Sequence, residues 1–419
     1  MSGSARVGVC HVIGAGLAGL SAALRLAESG RPVRLYEQAP QAGGRCRSFY
    51  DATLDRTIDN GSHLALSGNH ALVDYARRIG AGAALVEQTP AAFPFLDVRN
   101  GDAWTLRPGG LWLFDPQRRV PHSRPWQYLA ALRAVLATAG QSVDDALPPD
   151  GALHERLWRP LAVSALNAPT ARASARLFGS VMRETLLRGE SACRPLLAPQ
   201  GLGAAFVDPA LRRLAELGVV LRLGARVDTL RFEGTRAMGL SVDGAMIDVA
   251  AGDSVILAAP AWVAERLIPG LTVPPPGPAI VNAHFRLDQL VRLPGGLPFL
   301  GLVGGTAEWL FARGDVVAVT VSAADALAQE TAESIAASLW RDVAAALRLD
   351  GPSRPCRVVK ERRATPDQAP DSVLRRPPAR TRWDNLCLAG DWTDTGLPAS
   401  LEAAVRSGDR AARCVLSAC

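Results

Sequence analysis

The sequence predicts an α/β fold in which one parallel sheet is assembled from separated parts of the chain, with a second, α+β domain inserted between those parts. A strand, a glycine-rich turn and a helix follow one another within the first 30 residues, an order typical of parallel sheets. Another buried strand ends in Gly-Asp at residues 390–391, near the other end of the chain. Because 419 residues exceed a typical single domain, we expect two domains.

The first predicted elements form a strand–turn–helix–strand unit. Residues 7–13 read as a buried strand, apart from His11. The Ala- and Leu-rich stretch 20–29 predicts a helix that ends at Gly30, and residues 32–37 predict the next strand.

The turn in this unit is Gly14-Ala15-Gly16-Leu17-Ala18-Gly19, a Gly-x-Gly-x-x-Gly pattern. Gly14 permits the tight turn, Gly16 lets a pyrophosphate approach the backbone, and Gly19 lets helix and strand pack closely. The helix start, at Leu17 and Ala18, offers backbone N–H groups and partial positive charge to phosphates. We therefore predict a dinucleotide site; the alternative is a glycine-rich turn in an ordinary α/β domain.

The residues after the second strand indicate which dinucleotide is bound. Glu37 ends that strand about 20 residues after the turn, where an acid accepts hydrogen bonds from an adenosine ribose. Gly43-Gly44-Arg45 follows, and Arg45 can form charge-assisted hydrogen bonds to the pyrophosphate. The triplet resembles the signature of the amine oxidase and phytoene desaturase branch of FAD enzymes. The alternative is a surface turn with a solvated arginine.

The C-terminal segment supplies a second part of the predicted FAD site. The strand at 386–391 ends in Gly390 and Asp391, and in the resembled superfamily that Asp hydrogen-bonds the ribityl chain. Residues 398–413 predict a helix with Pro398 in its first turn. Backbone N–H groups near Leu401 and Glu402 would then face the pyrimidine edge of the flavin and stabilise negative charge on its reduced form.

The middle of the chain returns twice to the same domain. Residues 219–227 predict a strand–turn–strand, with Val227 where the superfamily uses a backbone amide for adenine, and residues 253–260 resemble the strand that re-enters the FAD domain. We therefore expect a glutathione-reductase-like, discontinuous FAD-binding Rossmann domain and a substrate domain inserted into it. The FAD-binding domain is predicted at 1–75, 200–265 and 380–419, and the substrate domain at 76–199 and 266–379.

Several further stretches resemble the hydroxysqualene dehydroxylases, the squalene-associated FAD enzymes of bacterial hopanoid pathways. The resemblance runs nearly end to end, and its most specific part is residues 390–396 followed by 398–408. The matching stretches are residues 59–63, 157–161, 165–167, 281–284, 299–302, 360–365 and 388–400.

This resemblance implies the reductive removal of an allylic hydroxyl from a C30 isoprenoid, hydroxysqualene, to give squalene. Loss of water would leave a delocalised allylic cation, which hydride from N5 of reduced FAD would quench. The protein must then supply an acid or hydrogen-bond donor, a long apolar channel and protection from water. The sequence does not identify the electron donor that reduces the flavin.

Four residues are candidates for the proton donor and its surroundings. His63 follows Asp59-Asn60-Gly61, a stretch that in related enzymes passes near the isoalloxazine ring, and Asp59 is expected to orient rather than to act as the acid. Asn282 and His284 alternate on one face of a strand at 281–287. In amine oxidases such a strand carries a lysine, and Asn282 takes that position here, which argues against amine oxidation. Either histidine could donate to a leaving hydroxyl, or be held structurally.

Four other residues in or near these motifs have open or structural interpretations. Trp392 could wall the flavin or pack beneath the C-terminal helix. Cys46 follows Arg45, but that segment is expected at the pyrophosphate, so we predict non-covalent FAD. Glu402 and Arg406 are predicted to form an ordinary i,i+4 pair.

Composition narrows the classes of partner. The formal net charge is +6, with Lys360 as the single lysine, and the arginines are dispersed, so nucleic-acid binding is not expected, whereas a basic face toward anionic lipid is plausible. The cysteine count is odd, without a Cys-x-x-Cys pair or metal-ligand spacing, so we expect reduced thiols and no metal. No apolar run of about 18 residues and no signal-peptide pattern is present. We expect a cytoplasmic protein, with peripheral contact to the inner face of the membrane left open.

One segment bears on that membrane contact. Residues 110–114 predict an exposed aromatic turn, and 125–139 predict a helix with Leu129, Leu132, Val135 and Leu136 on one stripe. The helix could dock on a membrane and admit a lipid, or face the core as an ordinary amphipathic helix.

Three alternative functions remain, and two of them fit the same motifs. A carotenoid-type or other isoprenoid desaturase would also need a flavin and an apolar tunnel, and an amine-oxidase-like flavoenzyme would share the scaffold. A flavin-binding partner subunit without turnover of its own is the third alternative.

Overall fold

The computed structural model describes residues 8–417 of the chain. The strands are β1 Cys10–Ile13, β2 Val33–Tyr36, β3 Ser48–Asp51, β4 Arg56–Asp59, β5 Ala65–Leu66, β6 Val86–Glu87, β7 Phe93–Asp97, β8 Ala103–Leu106, β9 Pro195–Leu197, β10 Val220–Arg222, β11 Val227–Glu233, β12 Arg236–Val242, β13 Ala245–Asp248, β14 Ser254–Leu257, β15 Ile280–Arg286, β16 Phe299–Val303, β17 Trp309–Arg313, β18 Val316–Val321, β19 Cys356–Glu361 and β20 Leu386–Leu388. The α-helices are α1 Leu17–Glu28, α2 His70–Arg78, α3 Ala131–Val135, α4 Val143–Ala146, α5 Gly151–Leu153, α6 Arg159–Leu166, α7 Ala175–Glu184, α8 Asp208–Glu216, α9 Ala261–Leu267, α10 Ala332–Leu347, α11 Pro370–Val373 and α12 Leu401–Leu416.

A five-stranded parallel sheet carries the predicted dinucleotide motif. Its order is β10-β2-β1-β14-β20, with β1 between β2 and β14. β20 closes one side against β14, and β10 closes the other against β2. The α/β class with a parallel sheet is therefore confirmed, and the sheet draws its strands from three separated parts of the chain.

The predicted N-terminal elements are present with shifted ends. The predicted strand begins at Cys10, and Val7 lies outside the described residues. The helix begins at Leu17, three residues before the predicted start, because the glycine turn leads directly into it. Gly30 follows the helix with φ +81°, a left-handed conformation that glycine adopts at helix ends.

The C-terminal helix also differs from its prediction. It runs over α12, Leu401–Leu416, rather than 398–413, so Pro398 precedes the helix instead of lying in its first turn. The side chain of Ser400 caps it by accepting a hydrogen bond from the Ala403 N–H. A side-chain cap of this kind fixes the helix start more strongly than a nearby proline.

A seven-stranded mixed sheet forms the second layer of the molecule. Its order is β19-β15-β18-β17-β16-β7-β8, and its strands come from the two predicted substrate-domain segments. One face packs against α10, with Phe285, Leu310 and Val319 in that core. The opposite face carries Asn282, Trp309 and Phe311. The part of this face around Trp309 packs against the helical region that contains α6 and α7. The exact domain boundaries stay a prediction; α2 runs across the one at residue 75.

No helix within residues 8–417 combines the length and the apolar character needed to cross a bilayer.

Candidate functional site

The glycine turn leaves open space where a phosphate is expected. A Cβ on Gly19 would lie 1.8 Å from the Gly14 carbonyl oxygen, and one on Gly14 would lie 2.8 Å from that of Ala258, so both positions require glycine. A Cβ on Gly16 would meet nothing within 4 Å. The start of α1, at Leu17 and Ala18, has neither a side-chain cap nor an acidic residue in its first turn. This cradle fits a pyrophosphate at a helix N-terminus.

Glu37 is fixed at the edge of this cradle. Its carboxylate accepts the Ala15 N–H and the Ala39 N–H, each at 2.9 Å. Its own carbonyl oxygen accepts the Ala225 N–H at 2.8 Å, two residues before Val227 begins β11. The structure thus brings Glu37 and Val227 to the same end of the sheet, where the sequence predicts the adenosine.

Arg45 joins the two ends of the chain. Its segment is held to the cradle by the Gly43 N–H, which donates to the Ala15 carbonyl at 2.8 Å, while Gly44 adopts φ +55°. The Arg45 guanidinium donates to Asp391 Oδ1 at 2.7 Å and to the carbonyl of Ala364. Burial alone would lower the pKa of Arg45, but the Asp391 carboxylate more than offsets this and raises it. The Arg45 side chain is 42% exposed, but its ion pair with Asp391 distinguishes it from a freely solvated arginine, and its contact with a pyrophosphate stays a prediction.

The Gly-Asp segment is anchored beneath α12. The Gly390 N–H donates to the Ser407 hydroxyl at 2.8 Å, and Asp391 is buried. Trp392 is also buried, and its indole N–H donates to the Ala259 carbonyl at 3.0 Å. With Arg45 and Asp391 it lines a cavity of about 240 Å³. These groups suit the middle of an extended dinucleotide, so the residues present fit FAD.

The start of α12 offers backbone rather than side-chain chemistry. The Glu402 carboxylate is turned away to accept the N–H groups of Ala71 and Leu72, at 3.2 and 2.8 Å, and so caps α2. It also accepts from Arg406 at 2.8 Å, which confirms the predicted i,i+4 pair. The N–H groups of Leu401 and Glu402 therefore remain the groups of this segment that could face a flavin.

Asp59 is fully engaged by neighbouring donors. Its carboxylate accepts the Leu202 N–H at 3.0 Å, the Ser48 hydroxyl at 2.5 Å and Arg313 at 2.8 Å. Both carboxylate oxygens are therefore occupied by donors. The arrangement suits an orienting residue rather than a proton donor.

Asn282 ties the loop after Asp59 to the mixed sheet. Its amide nitrogen donates to the Asn60 carbonyl at 3.3 Å, and its oxygen accepts the Thr320 hydroxyl at 2.8 Å. A Cβ on Gly61 would lie 3.0 Å from that amide nitrogen, so the loop passes very close to β15. Asn282 is thereby placed against the stretch that is expected beside the isoalloxazine ring.

His63 and His284 line one cavity of about 150 Å³. His284 is buried, and neither ring nitrogen has a hydrogen-bond partner among residues 8–417. Burial, followed by the nearby Arg313 charge, lowers the pKa of His284 to about 4. His63 lines the same cavity and is exposed, yet the protein atoms around its ring lower its pKa, with Asp59 acting in the opposite direction. Both rings are therefore neutral near pH 7, and a neutral imidazole still carries one N–H donor.

The walls of this cavity are mostly apolar. Leu197, Leu202, Phe311, Val316 and Ala318 contribute to them. Because ligand pockets usually hold about 300–1,000 Å³, a cavity of this size must open further to accept a long chain. The apolar walls and the two histidines give the chemistry expected beside a departing hydroxyl.

The sequence did not single out several residues that build this site. Arg313, Ser48 and Thr320 hold Asp59 and Asn282 in place, yet none lies in a recognisable motif. Asn60 also donates to Glu361 at 3.2 Å, across 301 positions of the chain. The pairing of β15, β17 and β18 brings Arg313 and Thr320 to the site, and the pairing of β3 with β4 places Ser48 opposite Asp59.

The structure also bears on two other expectations, the state of Cys46 and metal binding. Cys46 is buried, its pKa is raised by that burial and by Asp59, and it is a free thiol. Within residues 8–417, no group of three or more His, Cys, Asp or Glu side chains is arranged to hold a metal ion.

Comparison with known proteins gives consistent results. The model of the family "Flavin containing amine oxidoreductase" matches residues 17–416. A hydroxysqualene dehydroxylase from Sinorhizobium fredii is 45% identical over 97% of this chain and 98% of its own length, and one from Rhodopseudomonas palustris is 44% identical over 97% and 98%. A "Probable zeta-carotene desaturase" from Synechococcus elongatus is 26% identical over 62% and 60%. The structure of a putrescine oxidase superposes with a TM-score of 0.72 at 16% identity, covering 98% of this chain and 99% of that one.

Proposed function

The chain belongs to the flavin-containing amine oxidoreductases and, within them, to the hydroxysqualene dehydroxylases, and we propose that it converts hydroxysqualene to squalene by reductive removal of the allylic hydroxyl. The observation that carries this proposal is identity of 45% over nearly the whole chain. The desaturase likeness is weaker and covers less of the chain. The protein is accordingly an FAD-dependent oxidoreductase.

FAD fits the residues at the edge of the parallel sheet. Glu37 and Val227 would hold the adenosine, while the turn at Gly14, Gly16 and Gly19 and the side chain of Arg45 would hold the pyrophosphate. Asp391 and the backbone at Leu401 and Glu402 would hold the ribityl chain and ring. Reduced FAD supplies the hydride that replaces the hydroxyl. The buried thiol of Cys46 is a poor nucleophile because burial raises its pKa. This favours non-covalent binding of FAD.

The residues of the protein must assist the other half of the reaction, which is the departure of the hydroxyl. The hydroxyl must leave as water, so it must gain a proton while the carbon–oxygen bond breaks, and one hydride then completes the balance to squalene and water. His63 and His284 line the cavity, and each neutral ring carries one N–H donor. A neutral imidazole hydrogen-bonds the hydroxyl but does not release its N–H proton, so the proton that leaves with the hydroxyl is drawn from solvent through a transiently protonated ring. We assign both roles to this pair, with Asp59 and Asn282 as positioning residues because their side chains are occupied by Arg313, Ser48 and Thr320.

The apolar walls serve the cation that forms. An allylic cation reacts with water. Apolar side chains around the cation, such as Leu202, Phe311 and Ala318, exclude water until the hydride arrives. Arg313 also lines the cavity, but its charge is balanced there by the ion pair with Asp59. The same walls suit a thirty-carbon hydrocarbon better than a polar amine.

The substrate also indicates where the protein works. A thirty-carbon isoprenoid partitions into membranes because each buried methylene contributes about 0.8 kcal/mol. We therefore propose that this protein, although it has no membrane-spanning helix within the described chain, acts at a membrane surface.

The experiment is an anaerobic incubation of the FAD-loaded protein with dithionite and hydroxysqualene, followed by chromatographic detection of squalene. We expect squalene in amounts matching the flavin oxidised. A parallel incubation of oxidised FAD-loaded protein with a polyisoprene, in which FAD accepts the two electrons, would yield dehydrogenated polyenes if the protein were a desaturase. No change in flavin oxidation state in either incubation would indicate a flavin-binding partner subunit.

The same assay separates the two histidines. His63→Ala and His284→Ala should each be compared with His122→Ala, since His122 lies outside the site and is exposed. We expect the donor's variant to lose about 10²–10⁴-fold in rate, the range for general acid catalysis, while FAD binding persists. Full rate in both variants would remove the histidines from the mechanism.

A further inference from the structure

Six large apolar side chains are exposed within 26 residues of one another. They are Leu111 (79%), Phe114 (69%), Trp126 (59%), Leu129 (59%), Leu132 (44%) and Leu136 (80%), and we call this set the docking face. The other exposed large apolar side chains of the described chain are spread between Tyr50 and Leu374. Scattered exposed residues are ordinary, whereas a cluster indicates an interaction surface.

The docking face is one continuous strip. Residues Pro125–Ala130 form a 3₁₀ helix that continues into α3. Because side chains three apart align on a 3₁₀ helix, Trp126 and Leu129 lie in line with Leu132. The turn Trp112–Phe114 packs on this helix, with the Trp112 and Tyr128 rings 5.2 Å apart.

The side chains of the docking face are not part of the hydrophobic core. The opposite side of the helix is already buried, through Tyr128, Ala131 and Ala134. A Cβ on Gly179 of α7 would lie 2.1 Å from the Ala134 carbonyl oxygen, so α3 is packed tightly on that side. The predicted helix at 125–139 is therefore shorter than expected, ending at Val135, and the core-facing alternative is wrong for Leu129, Leu132 and Leu136.

Positive charge surrounds the docking face. Residues 107–136 contain five arginines and a single acidic residue, Asp115. Arg107, Arg124 and Arg133 are exposed, and the Arg124 guanidinium lies 5.3 Å from the centre of the Trp126 ring. Apolar side chains with Trp and Arg at their margin are suited to the interface of a bilayer that carries anionic headgroups.

We propose that this docking face seats the protein on an anionic lipid surface and that its substrate enters from the lipid side. The second part rests on the proposed function. Trp112 and Leu113, beneath the docking face, pack into the same hydrophobic cluster as Leu197 and Phe311. Those two residues line the cavity of His63 and His284. One packed hydrophobic cluster therefore extends from beneath the docking face to the cavity wall.

Vesicle flotation of the FAD-loaded full chain tests the first part. We expect binding to phosphatidylcholine vesicles containing phosphatidylglycerol, and weaker binding to phosphatidylcholine alone or at high salt. Leu129→Glu with Leu136→Glu should weaken binding at least about tenfold, since two large apolar side chains no longer enter the interface. The matched control is Leu290→Glu with Leu374→Glu, which changes equally exposed leucines elsewhere and should bind normally.

Unchanged vesicle binding by the Leu129/Leu136 variant would overturn the proposal, as would equal loss in the control. A flavin spectrum and melting temperature like those of the unaltered chain verify that each variant is folded. Sedimentation without lipid tests the other occupant: a dimer that this variant dissociates would mean that the face binds a second copy instead.

Turnover separates this inference from the proposed function. The variant should turn over hydroxysqualene normally in detergent micelles but lose rate when the substrate is in vesicles. Equal rates in both media would contradict lipid-side entry. Absence of squalene with every protein would contradict the proposed function while leaving the vesicle-binding result valid.

Discussion

His63 and His284 show how the surroundings of a side chain set its chemistry here. His284 lies inside the protein beside Arg313, which opposes a second positive charge, whereas His63 faces the cavity with Asp59 and Arg45 nearby. Both pKa values are lowered, so both rings stay neutral under ordinary conditions. As neutral donors they can assist a departing hydroxyl without placing a fixed cation next to the developing one.

The buried His284 should make stability depend on pH. Its pKa is about 4 in the folded chain and about 6.5 in the unfolded chain. The unfolded state therefore binds more protons between these values. The contribution of His284 to stability is fully present above about pH 6.5 and is lost as the pH falls from there to about 4. The total loss from this group should be about 3 kcal/mol.

Urea unfolding of the unaltered chain and of His284→Asn at pH 7 and pH 5 measures this effect. The variant should lose less free energy of unfolding between the two pH values than the unaltered chain does. His122→Asn, at an exposed position, should behave like the unaltered chain. An equal pH dependence in His284→Asn would show that His284 is not held neutral.

Residue roles could be predicted from the sequence only where local geometry decides them. Gly14, Gly16 and Gly19 act through the turn that they form, and Glu37 acts through its place at the end of β2. The partner of Asp59 could not be predicted, because Arg313 is 254 positions away and arrives through the pairing of the mixed sheet.

At the scale of elements, α1 and α12 form the contact on which both halves of the FAD site depend. A Cβ on Gly408 would lie 2.0 Å from the Ala18 carbonyl oxygen, which is in the first turn of α1. The Ser21 hydroxyl also donates to the Val405 carbonyl at 3.0 Å. The two helix N-termini that would face FAD are therefore held in register by this packing.

Gly408→Ala should push α12 away from α1. We expect a loss of about 1–3 kcal/mol, as is usual for overpacking, together with weaker FAD binding because both helix starts move apart. Thermal unfolding and FAD titration measure the two effects. Gly140→Ala, where a Cβ would meet nothing within 4 Å, should change neither; normal FAD affinity in Gly408→Ala would contradict the packing argument.

Glu402 should stabilise α2 without contributing its side chain to FAD. Glu402→Ala removes the acceptor of the Ala71 and Leu72 N–H groups, and we expect a loss of about 1–2 kcal/mol. FAD affinity should stay close to that of the unaltered chain because the backbone N–H groups remain. Glu184→Ala, which removes the other acidic neighbour of Arg406, is the control and should cost less stability. A large loss of affinity with unchanged stability would assign the carboxylate itself to the cofactor.

Elements were predictable where their sequence pattern is continuous, but their ends were not. The helix after residue 398 begins at Leu401 because Ser400 caps it, and α3 ends at Val135 although an apolar stripe continues to Leu136. That stripe reads alike in the sequence whether it meets the core or solvent, since periodicity does not say which partner covers it.

At the scale of the whole molecule, the chain ends meet at one site. β1 lies beside β14, which lies beside β20, and the Arg45–Asp391 pair closes the distance between segments 346 positions apart. The mixed sheet then places Asn282 and His284 against the loop that follows Asp59. This union of two sheets accounts for a cofactor site that faces an apolar cavity.

The architecture was predictable from the motifs near both ends, because a Gly-x-Gly-x-x-Gly turn and a strand ending in Gly-Asp each specify a place on the same sheet. The cavity was not predictable in shape. Its walls combine Leu197 and Leu202 from one part of the chain with Phe311 from another, more than 100 positions away, without a common motif.

Equilibrium titration of the apoprotein with FAD tests the central claim most directly. We predict one FAD per chain, with Arg45→Ala and Asp391→Ala each weakening binding by about tenfold or more because charge-assisted hydrogen bonds are lost. Asp384→Ala, at an exposed carboxylate that contacts Thr235, should bind FAD normally. A folded apoprotein that takes up no FAD, or variants at 45 and 391 that bind it as tightly as the unaltered chain, would contradict the account.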